Sequence, residues 1–389
     1  MNVDFVRGCF PSDSFDIKNN PWSINPRTGI WGKFENGQEV LYGIERTNEK
    51  KVCEYTGIIE SNDFLFFIPG WQDTAAPYIK KYNIQSKTSE IISFDEIVLP
   101  KLHTDKLFSD GCAIGKYVFM FGLSFPIIVR INTKTNETDY VRLKEEDFDG
   151  VERHNDQNSF FDVHQFVVDG EQMYLACTKI SAVLKVNIET LEYELTHIDC
   201  DADYFFNLTD LDDDRLLIGC GGNTNNVFVW NRKSGVIEKT IVLKNPKKRY
   251  PLTKILKVKN DFFYLFPCDN WEPDKLDIYT LNTENDELNN TGLLENINKL
   301  DDSEVIWGQE VLYACLKDEH KILFVTGKDL LWHEYDLLNG TINEYEVGAV
   351  KNGDYERIIE MYYKSRITRR EPLREQEVSV AEFCNNFIV

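Results

Sequence analysis

The sequence predicts an all-β protein built from one repeated sheet. Aromatic residues make up 13% of the 389 residues and hydrophobic residues make up 42%, which favours a folded chain rich in pleated, half-buried strands. Residues 62–70 (NDFLFFIPG) and 260–268 (NDFFYLFPC) follow one pattern: Asn-Asp, five apolar or aromatic residues, then proline. Because the chain contains this strand-like pattern twice, we expect an internal repeat.

A second pattern recurs along the chain. An alternating apolar strand leads to a polar turn residue, and another strand follows, as in YIKKYNIQSKTSEIISF at 78–94. Side chains of Asn, Asp, Ser and Thr bond nearby backbone and favour turns, and Gly235 and Gly340 are expected to supply positive φ in two hairpins. The turn residues, separated by 44 to 56 positions, are Asn83, Asn132, Asn187, Asn231, Thr280 and Asp336.

Two further strand signals precede each turn residue, so one unit comprises four short antiparallel strands. Such a sheet cannot bury both faces alone, and stacking equivalent sheets in a ring solves this problem. The predicted fold is therefore a β-propeller, with the two opening stretches as second strands of equivalent blades, four blades apart. A weaker copy around Asn25 predicts seven four-stranded blades, the first closed by a strand from the other end of the chain. The alternative is six blades, with the N-terminus serving as closure.

Two short motifs resemble known propeller repeats. VFVWNRKSG at 227–235 is similar to the third strand of a WD-type repeat, and Gly221-Gly222 is similar to a kelch diglycine. Each occurs once, and no recurring Gly-His accompanies the first. The chain thus resembles β-propeller repeat proteins over nearly its whole length. This resemblance implies the fold but not the function of either subfamily.

The C-terminal part differs in kind, so we divide the chain into a propeller at 1–350 and a tail at 351–389. Apolar residues at helical spacing follow Asp354, and Ser379 with Glu382 forms a capping box before an apolar end. Between them lies a basic run at 364–374. We expect a short helical tail that docks on the propeller or on a partner.

The charge balance argues against several classes of partner. With 43 basic and 65 acidic residues the net charge is −22, which disfavours nucleic acid and anionic membrane surfaces. No secretory start and no bilayer-length apolar stretch is present. The nine cysteines are scattered and never spaced C-x-x-C, a pattern of free thiols in a reducing cytoplasm. We expect a cytoplasmic protein without a metal or a cofactor.

Candidate ligand-binding residues come from loops, where rigid scaffolds commonly carry their sites. Two loops between second and third strands each place a tryptophan beside a carboxylate, an arrangement that suits a sugar ring or a cationic side chain. The loop at 151–160 adds a basic and a titratable group. The candidates are Trp71, Asp73, Arg153, His154, Asp269 and Trp271.

No catalytic motif accompanies these residues. The chain has no G-x-S-x-G elbow, its glycine-rich stretch at 219–226 lacks the Lys-Ser/Thr of a phosphate loop, and no histidine has metal-ligand spacing. The sequence therefore predicts a binding or scaffolding propeller that recognises a protein, peptide or glycan through its loops. The alternative is an enzyme, a lyase, hydrolase or group transferase, with polar residues gathered at the centre of the propeller.

Overall fold

A computed structural model describes most of the strands and many of their turns. The described residues are 22–24, 30–35, 38–45, 55–69, 78–93, 108–122, 125–148, 160, 165–221, 224, 226–243, 252–259, 261–267, 277–294, 297, 311–326, 332–345 and 347–350. The predicted helical tail at 351–389 lies outside them.

The described elements are strands apart from one 3₁₀ turn. The strands are β1 (Trp22–Ile24), β2 (Ile30–Glu35), β3 (Gln38–Ile44), β4 (Tyr55–Ser61), β5 (Phe64–Pro69), β6 (Tyr78–Asn83), β7 (Ser89–Ser93), β8 (Phe108–Ile114), β9 (Tyr117–Gly122), β10 (Ile127–Asn132), β11 (Thr138–Arg142), β12 (Phe166–Asp169), β13 (Gln172–Ala176), β14 (Ala182–Asn187), β15 (Tyr193–His197), β16 (Tyr204–Asp210), β17 (Arg215–Gly221), β18 (Asn226–Asn231), β19 (Val236–Val242), β20 (Leu252–Lys259), β21 (Phe262–Pro267), β22 (Tyr279–Asn282), β23 (Glu287–Asn290), β24 (Val311–Asp318), β25 (Lys321–Thr326), β26 (Trp332–Asp336), β27 (Thr341–Tyr345) and β28 (Val347–Val350). The 3₁₀ turn spans Glu145–Phe148.

These strands form seven four-stranded sheets, which confirms the predicted all-β propeller. Six sheets each consist of four consecutive antiparallel strands, and we number them blade 1 (β4–β7) to blade 6 (β24–β27). The remaining sheet, here called the closing sheet, has the order β1-β2-β3-β28 and combines both ends of the described chain. The six blades match the alternative prediction, in which the N-terminus serves as closure. Its last strand lies parallel to β3. The opening stretches form β5 and β21, the second strands of blades 1 and 5, as predicted.

The hairpin around position 25 differs from the prediction. It was expected to copy the third and fourth strands of a blade, but β1 and β2 are the first two strands of the closing sheet. β1 contacts β4, the first strand of blade 1, in the same way that β4 contacts β8. The similarity arises because turn-forming residues look alike in both hairpins of a blade.

The turns between third and fourth strands share one geometry. In each, a side-chain oxygen at the end of the third strand accepts a hydrogen bond of 2.8–3.0 Å from the backbone N–H two residues later. Four residues after that side chain, φ lies between +59° and +73°, including the predicted Gly235 and Gly340. One turn residue was wrong: Thr280 lies inside β22, and Asn282 accepts the bond in blade 5. The six acceptors are Asn83, Asn132, Asn187, Asn231, Asn282 and Asp336.

Apolar side chains fill the space between neighbouring sheets. Phe66 of blade 1 and Met120 of blade 2, both 0% exposed, belong to one cluster, and Phe119 of blade 2 and Leu175 of blade 3 belong to the next. Each fully buried side chain of this size contributes about 1.5–3 kcal/mol. The propeller is therefore held together by the faces of its blades.

Lysine and arginine side chains add polar links between adjacent blades. Lys81 of blade 1 donates to Asn136 of blade 2 at 2.8 Å. Arg130 of blade 2 donates to the Ile188 carbonyl of blade 3 at 2.8 Å, and Lys239 of blade 4 donates to the Thr283 carbonyl of blade 5 at 3.2 Å. In each case the acceptor lies in the turn between third and fourth strands of the next blade.

One glutamine links two blades that are not adjacent. Gln165, just before β12 of blade 3, donates from Nε2 to the Ile255 carbonyl of blade 5 at 2.8 Å. Its Oε1 accepts from the Ile255 N–H at 3.1 Å. Since blade 4 lies between these blades along the chain, the side chain joins two blades that are not consecutive.

Replacing Gln165 with glutamate should destabilise the fold by about 1–3 kcal/mol, because a carboxylate cannot donate to the Ile255 carbonyl and leaves two acceptors facing each other. Urea denaturation at neutral pH measures the effect, with Gln85→Glu in an exposed turn as the control. Equal midpoints for the two variants would contradict the link.

Candidate binding groove between blades 2 and 3

The loop residues predicted as a binding site lie outside the described residues. This holds for Trp71, Asp73, Arg153, His154, Asp269 and Trp271. Their roles stay predictions, and the candidate site below is built from the described strands and turns.

An open groove of about 720 Å³ lies at the outer rim between blades 2 and 3. One wall is β11, the outermost strand of blade 2, and the other is the turn and first residue of β15 in blade 3. Three consecutive residues of β11 line the groove, so the strand presents its edge as well as one face. The lining residues are Arg130, Asp139, Tyr140, Val141, Thr190, Leu191, Glu192 and Tyr193.

The register of β11 determines which of its backbone groups face outward. Asn132 donates to the Glu137 carbonyl at 2.9 Å, and Leu143 donates to the Pro126 carbonyl at 2.8 Å. Inward and outward residues alternate in an antiparallel pair, so Asp139 and Val141 direct their N–H and C=O groups to β10. Thr138 and Tyr140 direct theirs outward, and among the described strands none pairs with this edge.

Arg130 forms the floor of the groove and is held from several sides. Arg130 is 8% exposed. Its guanidinium donates to the Ile188 and Glu189 carbonyls of blade 3 and from Nη2 to Asp139 Oδ2 at 2.6 Å. The guanidinium carbon lies 4.5 Å from the centre of the Tyr117 ring. The floor is therefore rigid, and it joins the two blades on which the walls stand.

A second layer of charged groups supports the floor. Tyr117 Oη donates to Glu189 Oε2 at 2.9 Å, and Lys116 Nζ lies 3.0 Å from the same oxygen. The hydrogen bonds from Lys116 and then Tyr117 lower the pKa of Glu189 below its usual value. The carboxylate therefore stays ionised and keeps the turn of blade 3 in place beside Arg130.

The walls combine apolar and acidic side chains. Val141 and Tyr193 pack partly buried against the core shared by blades 2 and 3. Asp139 keeps 62% of its side chain exposed despite its bond to Arg130, and Glu192 is exposed at the opposite wall. Tyr140, at 41%, is among the exposed large hydrophobic residues. The groove thus offers a strand edge, apolar contacts and two carboxylates.

A comparable groove of about 890 Å³ lies beside β27 of blade 6. It is lined by Leu293, Gly340, Ile342, Asn343, Glu344 and Tyr345. Blade 5 contributes only Leu293 to the lining, which lies beyond the end of β23. Four consecutive residues of β27 line this groove, but blade 5 contributes no strand residue to it. The groove between blades 2 and 3, which has strand residues from both blades, is the stronger candidate.

A cluster of charges lies where the first strands of blades 3 and 4 end. Arg232, with 7% of its side chain exposed, lies 3.4 Å from Asp169 and 3.9 Å from Asp210. Burial raises the pKa of Asp210 above its usual value, although Arg232 and Lys257 act in the opposite direction. These groups partner one another, which assigns them a role in joining the blades.

The described residues contain neither a metal-binding cluster nor a membrane-spanning helix. No group of three or more His, Cys, Asp or Glu side chains is placed to hold a metal ion. The described chain also contains no apolar helix of a length that could cross a bilayer.

Sequence reasoning missed the groove. Arg130 precedes the turn residue Asn132 by two positions, as Lys81 precedes Asn83. A basic residue at this position of the repeat is the signal that could have indicated a contact with the next blade. The neighbouring Asp139 and Tyr140 look like ordinary solvent-facing strand residues, since nothing local marks an outer edge.

Comparison with known proteins supports the fold class. No family model matches the chain, and no curated protein matches it. Solved structures of β-propeller architecture do match, and together with the four-stranded sheets they define this chain as a β-propeller protein.

Two of the solved structures illustrate the likeness. One is YCF48 bound to D1 peptide, at 9% identity and a TM-score of 0.54, covering 83% of this chain and 92% of that chain. Another is streptogramin B lyase, at 12% identity and a TM-score of 0.55, covering 87% of this chain and 94% of that chain. At these identities the likeness shows the fold alone.

Proposed function

We propose that this propeller is a binding module that takes an extended segment of a partner protein as an added strand on β11. The observation that carries the proposal is the outward-facing backbone of Thr138 and Tyr140 beside the groove. Unpaired strand edges are templates for a further strand, and peptide recognition by strand addition draws affinity from main-chain hydrogen bonds.

Three features favour this role for β11. Its groove is open at the rim, its floor is fixed by Arg130, and its walls carry Val141 and Tyr193 for apolar contact. A rigid site loses little conformational freedom on binding, which leaves more of the contact energy as affinity. The match to a propeller bound to a peptide is consistent with the proposal.

The loop residues Trp71, Asp73, Arg153, His154, Asp269 and Trp271 are proposed as a second contact for a protein, peptide or glycan. Catalysis at the centre of the ring, which the match to a lyase keeps as an alternative, has less support. The described charged groups near the first strands, Arg232, Asp169 and Asp210, are engaged with each other.

The test selects peptides that bind the full-length protein from a phage-displayed library of random 12-residue sequences. Tyr140→Pro removes the outward N–H, at a position where an edge strand tolerates proline, and Tyr140→Val removes the ring but keeps the N–H. We expect selected peptides to bind the proline variant about tenfold more weakly than the valine variant. Both variants should unfold at similar urea concentrations.

The proposal is wrong if no peptide is enriched. It is also wrong if the enriched peptides bind the proline and valine variants equally well, since strand addition requires the N–H of residue 140.

A further inference from the structure

We infer that the strand accepted by β11 carries a basic side chain and, two positions away, an apolar side chain on the same face. The inference rests on the proposed function and names the chemistry of the partner: an extended, basic peptide segment. It follows from the residues of β11 that face the groove and from the side chains across it.

The face of β11 that looks toward blade 3 is defined by two residues. Val141 packs against the core shared by blades 2 and 3, and Asp139, two positions earlier, bonds to Arg130, whose guanidinium contacts the carbonyls of blade 3. Side chains two residues apart share a face of a strand. An added strand would therefore place every second side chain in the groove, beside Asp139 and Val141.

Asp139 selects the charge of its neighbour on the added strand. Arg130 pairs with Asp139 across β10 and β11, and a cation on the added strand would continue this alternation of charge. Opposite charges on directly opposed strand residues attract and like charges repel. Glu192 stands exposed on the facing wall, so it adds to the attraction for a cation and to the repulsion of an anion.

Val141 favours an apolar residue at the second groove-facing position of the added strand. The groove at this level is lined by Val141, Leu191 and Tyr193, of which Leu191 is buried and the other two are partly buried against the core. An apolar side chain opposite Val141 would cover their remaining exposed surface, which is favourable by the area removed from water. The spacing of two residues between the basic and apolar side chains follows from the spacing of Asp139 and Val141.

The charge of the whole protein acts in the same direction. The net charge is −22, and residues 1–350 carry all of it, since residues 351–389 contain seven basic and seven acidic residues. A basic segment is therefore attracted toward the propeller at long range, and the rate of association should fall as salt is added. The negative charge of the propeller therefore complements a basic partner.

The test uses four labelled peptides and the full-length protein. The first probe is Thr-Val-Thr-Lys-Thr-Val-Thr with an N-terminal fluorescein and a C-terminal amide, so that a valine lies two positions from the lysine in either strand direction. A second replaces Lys with Glu and a third replaces Lys with Thr. A fourth has the order Val-Thr-Thr-Lys-Thr-Thr-Val, which puts the valines and the lysine on opposite faces of the strand. Fluorescence anisotropy at about 150 mM salt gives the affinities, with long-range charge effects largely screened.

We expect the lysine probe to bind about fivefold more tightly than the glutamate probe, with the threonine and shifted-spacing probes in between. Asp139→Asn keeps an acceptor for Arg130 but removes the charge, and should reduce this preference to about twofold or less. Glu284→Gln changes the net charge equally, in an exposed turn of blade 5, and should leave the preference unchanged.

The outcomes distinguish the proposed strand addition on β11 from the inferred basic character of the partner. If the first three probes bind equally and Tyr140→Pro weakens them all, strand addition on β11 stands and the basic partner is wrong. If Tyr140→Pro weakens none of them, both are wrong. A preference for lysine that survives Asp139→Asn but disappears in Glu284→Gln would place the basic peptide elsewhere and overturn the inference.

Discussion

Replacement of Gly111 by alanine is expected to destabilise the protein by about 3 kcal/mol or more. Gly111 lies in β8, at the contact between blades 1 and 2. A Cβ atom there would lie 2.4 Å from Ile59 Cδ1, 2.8 Å from Ile68 Cδ1 and 2.5 Å from the Phe119 carbonyl oxygen. The two isoleucines belong to blade 1, and the carbonyl belongs to β9 of the same sheet as Gly111.

The backbone carbonyl makes this clash costly. A flexible side chain could move aside, but the Phe119 oxygen moves only if the β8–β9 ladder shifts. The isoleucine atoms also lie in a close-packed core. The alanine variant must therefore separate two blades or distort one of them.

Gly115 provides the matched control, four residues away in the turn between β8 and β9. It has φ of +60°, and no atom lies within 4 Å of a Cβ placed there. Gly115→Ala should cost only about 1 kcal/mol, through its backbone conformation. Urea denaturation of both variants measures the difference, and an equal or larger loss for Gly115→Ala would contradict close contact at Gly111.

Replacement of Glu334 by glutamine is expected to cost about 1–3 kcal/mol at neutral pH. Glu334 is 1% exposed and accepts hydrogen bonds from Lys317 at 2.5 Å and Lys321 at 2.6 Å. Glutamine leaves the two ammonium groups without their counter-charge. The side chains of Lys317 and Lys321 are 31% and 35% exposed. Water can therefore solvate their ammonium groups and offset part of the loss.

The effect of Glu334→Gln should depend on pH. Burial acts to raise the pKa of Glu334, but the hydrogen bonds from Lys317 and Lys321 outweigh it and hold the pKa below its usual value. A carboxyl whose pKa is lowered by folding stabilises the protein above its unfolded pKa, about 4.3 for glutamate. This stabilisation disappears as the pH falls through the folded pKa.

Urea denaturation of wild type and variant between neutral pH and about pH 3 tests this dependence. The difference in stability should be largest at neutral pH and should shrink below about pH 4.3. Glu319→Gln, where the side chain is 85% exposed, removes the same charge and should show little effect at any pH. A difference that stays constant with pH would contradict the role of the ionised carboxylate.

Much of the propeller could be predicted from the sequence because its signals are local. Each turn residue such as Asn187 bonds to backbone within three positions, and each second strand is a short apolar run. The closing sheet was harder to define, because β28 is four residues long and pairs in parallel with a strand some 300 positions away. No local hairpin pattern in the sequence predicts such a pair of strands.

The groove could not be predicted for a related reason. Arg130 contacts carbonyls 58 and 59 positions further along the chain, and that contact exists only once blades 2 and 3 are stacked. The sequence-based search looked to loops, where tryptophan and carboxylate side chains are conspicuous. A strand edge has no such composition, because its binding groups belong to the backbone of Thr138 and Tyr140.

The composition of the closing sheet also has a consequence for the order in which the protein is made. Blades 1 to 6 can each form as their four strands leave the ribosome, but β3 must wait for residues 347–350 before its outer side is filled. During most of synthesis β3 therefore lacks its outer neighbour, although Trp22 and Trp31 can already pack against blade 1. A nascent chain stalled before residue 347 would therefore leave the outer edge of β3 open.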